Sequence, residues 1–205
     1  MKARFAFYFL GIFILTLGIA LIIKANLGAA AWDAFAVGES KTFQLSVGTF
    51  VFINGMILIF INAFLLKKKP EFLAAVTVFV IGMLIDFWLK VGLSGFAPTG
   101  FGVQTVTLFV GIFALGIGIA SYLQAEFPAS PMDTIMVAIS TRFGLSYRSA
   151  RMISEGLALA FAVVFQGAIG VGTIVVTITI GFIIQFFFPI LEQLLVRISQ
   201  KPKYK

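Results

Sequence analysis

The chain has 205 residues, 60% of them hydrophobic and only 11% charged, with a formal net charge of +7. A soluble domain draws about a quarter of its residues from the charged types, so the apolar surplus here must face lipid. Cys and His are both absent. Their absence excludes disulfides, thiolate nucleophiles, the usual zinc sites and imidazole acid–base catalysis. The basic residues form short clusters beside apolar runs, with no basic stripe interleaved with stacking aromatics, which argues against a nucleic-acid partner.

Lys2 and Arg4 precede the apolar run Phe5–Ile23. With Ala29-Ala30-Ala31 behind it, this segment imitates a signal peptide. At 19 residues, however, it is longer than a secretory core, and its pattern recurs at Gly111–Leu123. It therefore reads as a retained first helix. Six stretches are long enough to cross a bilayer: Phe5–Ile23, Thr49–Leu66, Phe72–Leu89, Val103–Leu123, Met152–Ile169 and Gly172–Leu195. The fifth contains Glu155.

The recurrence extends well beyond one helix. Gly11–Ile53 aligns without a gap on Gly111–Ile153, and 16 of the 43 positions are identical, among them Asp33/Asp133 and Ser46/Ser146. A weaker match carries the duplication into the third helix, placing Gly82 on Gly181 and Asp86 on Gln185. Each unit has an odd number of membrane-length runs, so the second copy must cross in the opposite sense. The expected fold is an all-α membrane protein of six transmembrane helices. They form two inverted three-helix repeats, residues 1–95 and 96–205, joined by the Gly-rich stretch Val91–Gly102 into one membrane domain. With the N-terminus in the cytoplasm, 12 of the 15 basic residues fall on the inner side and only Lys24, Lys41 and Lys90 fall outside. Cationic loops resist translocation, so both termini are expected in the cytoplasm.

Between the first and second runs of each repeat lies AAAWDAFAVGESKTFQLS (Ala29–Ser46) or ASPMDTIMVAISTRFGLS (Ala129–Ser146). Ser130, Pro131 and Asp133 form a helix-start signature, and Asp33 holds the equivalent place. A helix of about ten residues after each Asp is too short to span. It fits either an interfacial helix lying flat, with Trp32 at the headgroups, or a re-entrant helix aimed at a central site. Asp33 and Asp133 accordingly fit either helix capping or the binding of a substrate or coupling cation.

Other polar groups lie within the runs. Asn54-Gly55 is set against Glu155-Gly156, so Asn54 and Glu155 join the candidate binding residues. Arg151 lies four before Glu155 and Lys90 four after Asp86, spacings that also make ion pairs on one helix face. Asn54 and Asn62 share a face suited to contact with another helix. Gly11 and Gly18, like Gly111 and Gly118, are seven apart and make a small-residue face for close helix packing. Pro189 marks an expected kink, Thr173, Thr177 and Thr179 can bond their own helix, and the tail Arg197–Lys205 suits anionic lipid.

Gly18, Ala20 and then ANLGAAAWDAF (Ala25–Phe35) resemble the YczE/YyaS/YitT family of bacterial integral membrane proteins. That family's pattern at this point is LG-x-x-PWD. Leu27, Gly28, Trp32 and Asp33 match it, while Ala31 stands in place of the Pro. The resemblance covers essentially the whole chain and implies a multi-pass protein of the bacterial cytoplasmic membrane. The functional expectation is a small-solute transporter working by alternating access, embedded in the lipid bilayer and able to form a homodimer. Its candidate site is Asp33, Asp133, Asn54 and Glu155. A non-transporting accessory protein that organises a biosynthetic or envelope partner is the alternative. No cofactor or metal is expected, and no nucleophile–base pair points to an enzyme.

Overall fold

The computed structural model describes residues 2–199; Lys201, Lys203 and Lys205 of the basic tail lie outside the described residues. The described residues form α1 (Lys2–Ala25), α2 (Ala31–Phe43), α3 (Val47–Leu66), α4 (Phe72–Phe87), α5 (Phe101–Leu123), α6 (Pro131–Phe143), α7 (Tyr147–Val164) and α8 (Val171–Ser199). A π-helical turn, Trp88–Gly92, extends α4. Five helices are long and apolar enough to cross a membrane: α1, α3, α4 with its π turn, α5 and α8. Large apolar side chains on them point away from the protein, such as Phe64, Phe101 and Phe182. In water that surface would be untenable, whereas in lipid it costs nothing.

The stretch expected as the fifth span differs. Its helix starts earlier than Met152, because Ser146 caps it by accepting the Ser149 amide. It ends at Val164, where the chain turns through a positive φ at Gln166. The resulting 18-residue α7 carries Arg148, Arg151 and Glu155 and is amphipathic, so it is not among the five.

Local structure repeats where the sequence repeats. Asn26 and Glu126, one hundred positions apart, both take the left-handed conformation just after α1 and α5. Gln44 and Gly144 do the same after α2 and α6. Ser40 donates to the Leu45 carbonyl at 2.6 Å, and Ser140 donates to the Leu145 carbonyl at 2.7 Å. Ser46 and Ser146 then cap α3 and α7. The serine identities of the duplicated segment are thus turn and cap requirements.

The core forms around α1 and α5, which pack antiparallel along most of their length. A Cβ on Gly18 would strike the Leu115 backbone and the Gly111 carbonyl; one on Gly118 would strike the Leu15 backbone and the Gly11 carbonyl. All four glycines are therefore interface residues, and the backbones approach as closely as only glycine permits. An Arg4–Glu126 ion pair of 2.5 Å closes one end.

Around this pair two helices stay with their own repeat, and four pack across to the other. α4 packs on α1 and α8 on α5, while α2 packs on α7 and α3 on α6. Loop contacts follow the same exchange. Ala29 donates to the Ala168 carbonyl at 2.8 Å, and Asn62 on α3 donates to the Pro131 carbonyl at 2.9 Å. One pair breaks the pattern. α3 is drawn tightly onto α4 through Gly48 and Gly82, and Asp86 accepts the Gly48 amide at 2.9 Å while pairing with Lys90 at 3.1 Å. α7 does not pack along α8. Arg148, which is exposed, stands one hundred positions after Gly48, and Gly181, the counterpart of Gly82, faces Arg151 rather than a glycine.

Candidate functional site

The central pair supplies the walls of a cavity of about 140 Å³, with Leu15 and Ile19 from α1 and Leu115 and Ile119 from α5. Val51, Ile81, Val176 and Ile180 complete an apolar lining from α3, α4 and α8. Ile19 lies six residues before the end of α1, about 9 Å along the axis. The first turn of α2 reaches that depth, so the chain doubles back after Ala25 and α2 begins inside the bundle. Gly28, at φ +114° and pressed on the backbone of Gly170, makes the reversal possible.

The polar lining consists of Asp33, Ser130, Asp133, Arg151, Glu155 and Thr177, with Trp32 beside them. Asp33 and Asp133 sit in the first turns of α2 and α6, where the helix dipole favours a negative charge. Their capping differs. Ser130 accepts the Met132 amide at 3.3 Å and Pro131 opens α6, as the sequence signature implied, whereas Ala30 gives α2 no side-chain cap. Asp133 accepts a hydrogen bond from the Tyr122 hydroxyl. Asp33 is 9% exposed, and among the described residues no donor reaches its carboxylate. Arg151 Nε donates to Glu155 at 2.8 Å. A second cavity of about 140 Å³ shares Asp133, Arg151 and Glu155 and continues past Ser154 on α7 and Ile184 on α8. The unpacked α7/α8 seam thus leads to the polar centre.

Three of the four candidate residues, Asp33, Asp133 and Glu155, line this cavity; Asn54 does not. Asn54 instead donates to Glu39 at 2.5 Å between α3 and α2, and both side chains are buried. The sequence reading missed Glu39, although an acid inside an apolar stretch is itself a signal. It also missed Tyr122, which carries no pattern of its own and matters only because α6 turns Asp133 onto it. Of the three threonines, Thr179 bonds the Val175 carbonyl, Thr173 accepts the Gly170 amide and Thr177 faces the cavity. Among the described residues no group of three or more acids could hold a metal. The cavity gathers three carboxylates against one guanidinium in a mostly apolar shell, a lining suited to a small ligand.

These features define a multi-pass α-helical membrane protein. Residues 2–189 match the model of a family of unknown function, DUF6198, and the chain belongs to that family. It is similar to the uncharacterized protein YyaS of Bacillus subtilis, at 34% identity over 93% of this chain and 94% of the relative. The uncharacterized membrane protein YczE of the same organism is 31% identical, covering 94% of this chain and 88% of its own length. An uncharacterized protein of Haemophilus influenzae is 27% identical, covering 88% and 81%. The YczE/YyaS resemblance of the sequence is therefore a family relationship. No solved structure matches the chain.

Proposed function

We propose that the protein is a small-solute transporter of the bacterial cytoplasmic membrane, built from two inverted repeats that alternate access to the central cavity. The observation that carries this reading is the meeting of Asp33 and Asp133, from equivalent short helices, at one cavity between the two halves. Inversion is supported by the antiparallel packing of α1 on α5 and by the exchange of α2 and α3 with α7 and α6. In this reading α7 completes a sixth crossing, its charges tolerated because Arg151 and Glu155 face the cavity and each other. Lys2, Arg4 and the basic tail keep both termini in the cytoplasm.

The unequal seams then have a meaning. α3/α4 is the closed gate, zipped by Gly48 and Gly82, and α7/α8 is the open one. Half-helix N-termini at a membrane midplane, flanked by one open and one closed seam, are the usual setting for alternating access. The test is reconstitution into liposomes and flux of a broad solute panel, for wild type and for Asp33→Asn with Asp133→Asn. Flux by wild type and its loss in the folded double variant is expected. Absence of flux for every solute, together with a specific co-purifying partner, would replace transport with the accessory role.

A further inference from the structure

We propose that the ligand of this cavity is a small organic ammonium ion, bound by Asp33 and Asp133 together; this rests on the transport reading of the same site. Three observations converge. Every ionisable group facing the cavity can be counted: Asp33 from α2, Asp133 from α6, and Arg151 with Glu155 from α7, with the Tyr122 hydroxyl of α5 spent on Asp133. Arg151 Nε pairs with Glu155 at 2.8 Å on the same helix. Two carboxylates are left facing one cavity, offset only in part by the ends of α2 and α6 and by Arg151, so the ionisable groups of the site sum to a negative charge.

The second observation is Asp33 itself. Nine-tenths buried and lining the cavity, it has no donor among the described residues, although its counterpart Asp133 has Tyr122. A buried carboxylate without a partner is costly, and a ligand N–H is the missing donor. The third is the rest of the lining. A hard metal cation needs some six oxygen ligands, as a rough count, and would find mostly Leu, Ile and Val here. An alkylammonium offers up to three N–H groups to the carboxylates and an apolar body to those walls. The Trp32 ring adds a face that attracts cations. The halves contribute one carboxylate each, so the cation also bridges the two bodies that must rock against one another.

The full chain in lipid nanodiscs is titrated with methylammonium, n-butylammonium and trimethylammonium chlorides, with n-butanol and sodium butyrate as controls, and binding is read as thermal stabilisation. At least one ammonium binds and neither control does. Asp33→Asn weakens that binding about tenfold to a hundredfold, Asp33→Glu retains it, and Glu39→Gln, outside the cavity, leaves it unchanged. A measurement on wild type stands beside the variants. Carbodiimide labelling of Asp33, followed by mass spectrometry, should be slowed by trimethylammonium, which keeps one N–H to donate and, as a tertiary amine, cannot itself form an amide. Butanol or butyrate binding as well as the ammonium ions, unaltered binding by Asp33→Asn, or unprotected labelling would each overturn the proposal. Ammonium binding without flux of any solute would remove the transport reading and keep the cation site. Flux of a neutral or anionic solute without ammonium binding would do the reverse.

Discussion

Replacing Gly18 with Ala, and separately Gly118 with Ala, perturbs the α1/α5 contact at two equivalent places. The added Cβ would sit 2.8 Å from Leu115 Cα at Gly18 and 2.6 Å from Leu15 Cα at Gly118. Carbon atoms rest at about 3.5–4.0 Å, so the helices must part by roughly 1 Å. Backbone atoms cannot rotate out of the way as a side chain would. Overpacking of this kind costs about 1–3 kcal/mol, against a gain of about 0.5–1 kcal/mol for Ala over Gly within a helix. A net loss of about 1–2 kcal/mol is expected for each, nearly equal in size. The double variant should lose less than the sum, because helices parted by one methyl accommodate the second. Gly156 in α7 supplies the contrast. Nothing lies within 4 Å of its Cβ position, so Gly156→Ala should be neutral or stabilising by up to about 1 kcal/mol. Reversible unfolding in mixed micelles by SDS titration measures the four variants against wild type. If Gly18→Ala and Gly118→Ala behave like Gly156→Ala, the close antiparallel contact is wrong.

Three further outcomes follow from buried polar groups and from topology. Tyr122→Phe strips Asp133 of its donor and should lower stability by about 1–3 kcal/mol in the same assay. A loss within error of wild type would mean the bond adds nothing. Asn54→Leu leaves the Glu39 carboxylate buried and unpartnered, with an expected loss of about 1.5–3 kcal/mol; Asn54→Gln should recover part of it. Because the chain has no cysteine, Lys41→Cys and Arg142→Cys can be labelled singly in intact cells. An impermeant maleimide should reach the first and not the second. Labelling of both, or of neither, contradicts an inverted pair of repeats.

Much of the local structure was legible because it depends on near neighbours. Ser130-Pro131 starts α6 as written, and Asp86–Lys90 and Arg151–Glu155 pair at their four-residue spacing. The seven-residue glycine spacing marks the face on which α1 and α5 meet. Legibility fails where a residue's meaning depends on a distant one. Asn54 and Glu155 look alike as polar groups in apolar runs, yet one faces Glu39 and the other faces the cavity. Glu155 did mark trouble in the fifth stretch, and the structure shows why: α7 is amphipathic, with Arg151 and Glu155 lining the cavity and Arg148 exposed.

What the chain's order of residues decided alone is its solvent and its punctuation. Composition sends it into lipid, and turns such as Ser40–Leu45 and Ser140–Leu145 close within six residues, so no other part of the protein has a say in them. What only the folded molecule decided is which charges share one space. Asp33 and Asp133 lie one hundred residues apart, and they meet because glycines let two long helices cross backbone to backbone and carry both short helices to the same depth. That α3 packs glycine to glycine on α4 while α7 does not pack along α8 is likewise a tertiary outcome, because equivalent positions of the two halves meet different neighbours.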